Sequence, residues 1–417
     1  MGRKGVTKGN FSTTSFQHNF CETTCQSANL SFLSQWQLCA SKTNRYQDYI
    51  KCADSYTKLI LTRDMSLVPG YIYFIRERDY LTNQVGPYVK IGLTRELRPV
   101  SARLSDHMTG NPRQEYSEWD IQVPMVDKLE TYMHHYFAQR RITGEWFEMD
   151  NSEIMSLAVP IVQRVLAEQA VTKPLLLNRD LLKATLSNGT VRAPTATETA
   201  MHQTYITADE NLKISKALYE IKDKELRTMI GTSDGIEGII NLQQKSQAPS
   251  FDKDAFLAAL TSSQQAMCQI SSQSTSKNPT IKGGRTLANL DPILSEAKKV
   301  ATAAAPNSIP ITNKSNSELP MTQALKDLHM EFLGTMRAVK IAEWEKEQAG
   351  VQLANMLDED EEITGIITWL RVASTTVTSF SSKEAKKHFE SIYNAHLTPR
   401  PDVIAVDIGK GHPYAYP

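Results

Sequence analysis

The stretch Gly70-Tyr71-Ile72-Tyr73-Phe74-Ile75 decides the reading of this chain, together with Tyr88-Val89-Lys90-Ile91-Gly92 a short polar loop later. Both are rich in β-branched and aromatic residues, and Asn83 and the Gly86-Pro87 pair between them are turn formers, so they read as two neighbouring strands. Strand alternation sorts their side chains to opposite faces. Ile72, Phe74, Val89 and Ile91 fall on one face and supply a core. Tyr71, Tyr73, Tyr88 and Lys90 gather on the other, an unusual concentration of phenols and an amine for packing alone.

Working outward, the next segments read as helices. Arg103 and His107 are four apart and share a helix face. From Val126 to Arg141 an apolar stripe (Val126, Leu129, Met133, Tyr136, Phe137) carries Glu130 at its edge, with His134 one turn on and His135 on the opposite, solvated side. Gly144-Glu145-Trp146-Phe147 reads as structural, its two aromatic residues closing a small core. Ile154 to Val171 has apolar residues at helical spacing, which predicts a packed terminal helix. Taken singly, each polar residue here is more often a core-edge aromatic or a solvated surface charge than a catalyst. Their order within one stretch is what points to a site.

In that order and spacing, residues 68–170 resemble the GIY-YIG nuclease superfamily, and more closely its phage- and prophage-associated branch, in which KIG (here Lys90-Ile91-Gly92) stands in for YIG. The resemblance implies an α+β fold: a small antiparallel-sheet module flanked by helices. It also implies divalent-metal-dependent hydrolysis of DNA phosphodiester bonds, in phage, prophage or anti-phage defence biology. Carried over by position, Tyr73 would act as base or water positioner, Arg103 would stabilise the phosphate and Glu130 would hold a metal ion. Lys90, His107 and His134 complete the expected catalytic set, and Tyr71, Tyr88 and Arg95 are expected to bind substrate. One carboxylate with waters suits Mg²⁺ or Mn²⁺ rather than a structural zinc. Because Lys90 and Tyr73 share a face, the ammonium is expected to favour the phenolate and lower its pKa from ~10. Two rivals remain: a catalytically silent nucleic-acid-binding module, and an interaction protein whose helical C-terminal part does the main work.

Composition sets the frame. The chain has 417 residues, enough for two or three cores, with ordinary hydrophobic and charged contents of 41% and 22%. A formal net charge of zero gives no electrostatic argument for nucleic acid, although residues 1–65 carry eight basic against four acidic side chains. A basic, largely helical arm (1–66) is therefore expected before the strand-helix module (67–171). No apolar stretch is expected to cross a membrane, and no signal-peptide core or disulfide framework is visible, so a reducing cytoplasm is the expected setting. Cys21, Cys25, Cys39 and Cys52 lack the paired spacing of a zinc module and read better as small hydrophobes.

Downstream, 172–204 reads as a Thr/Ala/Pro-rich linker, and 205–417 as mostly helical with polar hinges at 271–286 and 306–318. Helices are predicted over Ala208–Met229, Asp252–Ile270 and, most strongly, Thr322–Leu357. The acidic run 358–362 is expected to cap a following helix. Gly283-Gly284-Arg285 reads as a flexible turn. The helical tail and double-strand cleavage both suggest a homo-oligomer.

Overall fold

A computed structural model describes residues 67–405, apart from 109–112, 238–239, 242, 246, 275–277, 306–307, 311–316, 374 and 402. The basic arm and the four N-terminal cysteines lie outside the described residues, as does the tail beyond 405.

The fold is α+β. Strands β1 (Gly70–Asp79), β2 (Val85–Arg95), β3 (Arg113–Val123), β4 (Arg141–Thr143) and β5 (Trp146–Glu148) form one antiparallel sheet in the order β3-β1-β2-β5-β4. The register sets Tyr73 opposite Gly92, Phe74 opposite Ile91 and Ile75 opposite Lys90. Ile72, Phe74, Val89 and Ile91 are fully buried, as their alternation predicts. The second face is not open. Val100 and Leu104 of helix α1 (Val100–Met108) pack on Tyr73 and Ile75, leaving Tyr73 only 1% exposed.

Helix α2 (Val126–Tyr136) packs on β1 and β2 through Val126, Leu129 and Met133. Gly70 is required at this contact: a Cβ there would lie 2.8 Å from Val126 and 1.9 Å from the Thr94 carbonyl oxygen. After β5 the chain caps itself at Asp150, makes a π turn over Ile154–Ala158 and continues as α3 (Val159–Leu182).

The stretch 172–204, read from sequence as a linker, is helical at both ends. α3 runs on to Leu182, and α4 (Ala196–Ile230) starts behind a Thr195/Glu198 capping box. Pro174 does not end α3, which is held by Lys173 on the Pro124 carbonyl and by buried Gln169 bonded to both backbone groups of Met125. By length and composition the continuous helix Asn151–Leu182 is apolar enough to cross a membrane, contrary to the sequence expectation. In the fold it is a packing helix, buried at Val162, Val165 and Leu176.

Helix α5 (Gln323–Leu357), the strongest helical prediction, forms one residue later than read, behind Thr322 as its cap, and lies along α4. It also grips the sheet module. Lys128 of α2 pairs with Glu347 at 2.7 Å, Trp344 donates to Glu168 at 2.7 Å, and the Arg337 guanidinium stacks 3.7 Å from the Tyr136 ring. His135, expected to be solvated, is half-buried here because Lys340 and Glu343 of α5 face it.

Three downstream expectations change. Asp252–Ile270 is two short helices (Lys253–Ala258 and Ser262–Met267), after which Gln269–Ser274 pairs with Thr375–Phe380 as a ribbon. The acidic run leads into the short strand Glu362–Ile363 rather than a helix; Asp360 binds Arg192, and the backbone carbonyls of Asp358 and Asp360 accept from buried Arg371. Gly283-Gly284-Arg285 is pinned, not loose. Asp209 accepts from the Gly284 amide, Glu210 holds Arg285, and Lys213 binds the carbonyls of both.

Candidate active site

β5 pairs with β2 at Tyr88, Val89 and Lys90, the Ile91 amide donates to the Glu145 carbonyl at 3.0 Å, and the chain turns away at Gly144, whose φ of 53° suits glycine. The outer edge of β2 beyond Ile91 is thereby left open, and a cavity of about 380 Å³ occupies that corner. It is lined by Tyr73, Leu93, Thr94, Arg95, Arg98, Arg103, Glu130 and Glu145. A phenol, three guanidiniums and two carboxylates, from four elements and two loops, converge on it.

Each arrives for a local reason. The Tyr73 ring crosses to the cavity over Gly92, where a Cβ would sit 2.6 Å from the phenol oxygen. The glycine of Lys90-Ile91-Gly92 is thus the floor under the tyrosine. Arg103, on α1, faces the Tyr73 hydroxyl across the cavity, where its positive charge favours the phenolate. Arg95 is held by both carboxylate oxygens of Asp127, with Nε at 2.9 and 3.2 Å. Glu130 lies one turn beyond Asp127 on α2. Between Arg95 and Arg98, Glu96 and Leu97 both adopt left-handed backbone (φ 55° and 58°), a costly conformation for non-glycine residues at the rim of a site.

The electrostatics are unbalanced. Burial, with Glu145 and Asp127 nearby, pushes the Glu130 carboxyl up to about 7, against the pull of Arg95 and Arg141. Burial also raises Tyr73 above its ordinary value, and Arg103 only partly opposes it. The phenol is therefore protonated at neutral pH. This overturns the expectation that Lys90 lowers its pKa: Lys90 sits opposite Ile75, its ammonium 3.6 Å from Glu145, and the cation on the phenol is Arg103.

Of the residues read from sequence, Tyr73, Arg95, Arg103 and Glu130 meet in the cavity. Lys90 stands one shell behind, through Glu145. His134 does not reach it. Its Nε2–H donates to the Ile91 carbonyl at 2.8 Å, its ring packs on Phe147, and burial lowers it to about 4, so it is a neutral brace between α2 and β2. Tyr71 packs beside Tyr73 and Val100, and Tyr88 is exposed opposite Glu148; neither lines the cavity. His107 belongs to α1, but its side chain lies outside the described residues. Sequence reasoning missed Arg98, and it read Glu145 as structural because only the divergence of β5 from β2 turns that side chain into the corner.

The donor set fits a hydrated divalent cation. Glu130 and Glu145 face one polar cavity and repel each other, which a cation would relieve. Among the described residues no group of three or more His, Cys, Asp or Glu side chains converges, so water would fill most of the coordination sphere, as Mg²⁺ and Mn²⁺ prefer.

Residues 70–161 match the model of the T5orf172 domain, a phage-associated domain of the GIY-YIG/HNH-like endonuclease group. No curated protein and no solved structure matches the chain.

Proposed function

We propose that the module at residues 70–161 is a divalent-metal-dependent endonuclease that hydrolyses DNA phosphodiester bonds. The observation that carries this reading is the convergence of Tyr73, Arg103 and Glu130 on one cavity. The match to a phage-associated nuclease-like domain supports it.

The chain's own groups divide the work. Arg103 and Arg95 offer planar guanidiniums to the non-bridging oxygens of the scissile phosphate and counter the charge that grows there. Tyr73, protonated and fixed over Gly92, positions the attacking water through its hydroxyl rather than taking its proton as a phenolate. Glu130, supported by Glu145, would hold Mg²⁺ or Mn²⁺; when bound, the cation supplies Lewis-acid charge and favours the ionised carboxylate. Lys90 keeps Glu145 oriented. The near-neutral chain leaves bulk phosphate affinity to the local arginines.

The test is cleavage of plasmid DNA by the full chain in Mg²⁺ or Mn²⁺. Glu130→Ala should lower the rate by about a thousandfold, and a chelator should abolish it. DNA binding without any cutting by the unaltered chain would select the silent-module reading instead.

A further inference from the structure

Two of the cleft's arginines share a single carboxylate. Arg98 Nη2 lies 2.8 Å from Asp106 Oδ2, and Arg103 Nη1 lies 3.8 Å from the same oxygen. Both arginines line the cavity, whereas Asp106 is not part of its wall. All three side chains are close to half exposed. Arg98 is delivered there by the left-handed pair Glu96-Leu97 and fixed by Thr94, whose hydroxyl donates to the Arg98 carbonyl at 2.6 Å. The left-handed pair and this bond fix the Arg98 backbone, and from there its guanidinium reaches Asp106 and the Ala102 carbonyl, 3.3 Å away.

We propose that Arg98 and Arg103 together hold the phosphodiester backbone, Arg98 reaching the phosphate that adjoins the scissile one on Arg103, and that Asp106 is an internal stand-in for the phosphodiester anion that substrate displaces. This rests on the nuclease reading of the cleft and extends it. Two guanidiniums against one carboxylate leave an excess positive charge, so the site is under-neutralised when empty. A phosphate carries the same charge as Asp106 but presents oxygens that bridge both forks, which suits arginine geometry better than one shared oxygen. The resident ion pair is exposed and worth no more than about 1 kcal/mol, so exchange is easy. Because Arg103 and Tyr73 line the same cavity, a phosphate on the Arg98–Arg103 pair lies beside the group that orients the attacking water. Asp106 thereby acts as a competitor built into the chain, one that disfavours weak, badly seated anions.

The experiment uses the full chain with Asp106→Asn, Arg98→Ala, the double variant and Asp106→Glu. Binding of a fluorescent DNA duplex is measured in EDTA across a salt series, and binding of inorganic pyrophosphate is followed by thermal shift. Asp106→Asn should bind the duplex roughly fivefold more tightly, the equivalent of losing one exposed ion pair. Arg98→Ala should bind more weakly, with a salt slope shallower by about one. The double variant should lose the tightening, and Asp106→Glu should behave as the unaltered chain does. A merely structural Asp106 predicts weaker or unchanged binding in Asp106→Asn, and that result overturns the proposal. So does tightening that persists without Arg98, which would be a general charge effect. If pyrophosphate follows the expected order while no variant binds or cuts DNA, the anion subsite stands and the nuclease reading falls.

Discussion

Two glutamates, half-buried Glu130 in the sheet module and buried Glu198 in the helical region, respond to their surroundings in opposite ways. Glu130 in the cleft is pushed up to about 7, whereas Glu198 at the start of α4 is held down at about 2. The difference is partnership. Arg192 donates two hydrogen bonds to Glu198 (2.7 and 2.9 Å), and Thr195 adds its backbone amide and hydroxyl. Glu130 has only the longer-range pull of Arg95 and Arg141 against burial and two neighbouring acids. The same contrast runs through both regions. On the long helices Asp209 is met by Lys213 and Lys346, with the Gly284 amide added from a turn, and Asp223 by Arg227. Satisfied charges mark a scaffold; a charge left in want of a partner marks a site.

The largest expected effect lies in the pH dependence of that want. A carboxyl whose folded pKa is raised contributes most to stability below pH 4.5, and that contribution is lost as pH rises through about 7. Glu130→Gln removes the loss. In urea unfolding at pH 8 without divalent cations, it should be more stable than the unaltered chain by up to about 3 kcal/mol, with the gap closing by pH 4. Adding Mg²⁺ should stabilise the unaltered chain and leave Glu130→Gln where it was.

Glu198→Gln should do the reverse. Its depressed pKa contributes stability above pH 4.5 that is lost only as pH falls through about 2. The substitution should cost about 2 kcal/mol at pH 7, and little at pH 2. Equal behaviour of the two glutamines at pH 7–8 would break the comparison.

The smallest effect tests backbone strain. Leu97→Gly should relieve the left-handed conformation at the cleft rim and raise stability by up to about 1 kcal/mol. Gly365→Ala, at φ 81° with open space around it, should lower stability by a similar amount. Thermal melts of both variants measure this pair.

Much of the module was legible in the chain itself. Alternation in Tyr71–Ile75 and Tyr88–Gly92 sorted the two faces, because a half-buried strand cannot slip by one residue without exposing its core; the register itself came with the fold. Helical spacing put Glu130 at a stripe edge for the same kind of reason. His135 and the 172–204 stretch were misread because nothing local to them announces α5, which packs against α2 and α3 from almost two hundred residues away. His134 was misassigned because a histidine at helical spacing from a glutamate looks alike whether its ring meets solvent, a substrate or a backbone carbonyl.

By itself, then, the sequence determined which residues could carry the chemistry: a tyrosine on the first strand, an arginine on the first helix and a glutamate on the second. Tertiary structure alone decided how those groups are charged and what faces them. Burial, the departure of β5 from β2 and the left-handed turn at Glu96-Leu97 are collective properties of the packed chain. They set Glu130 near neutrality, bring Glu145 and Arg98 into the cleft and give Tyr73 Arg103, not Lys90, as its cation.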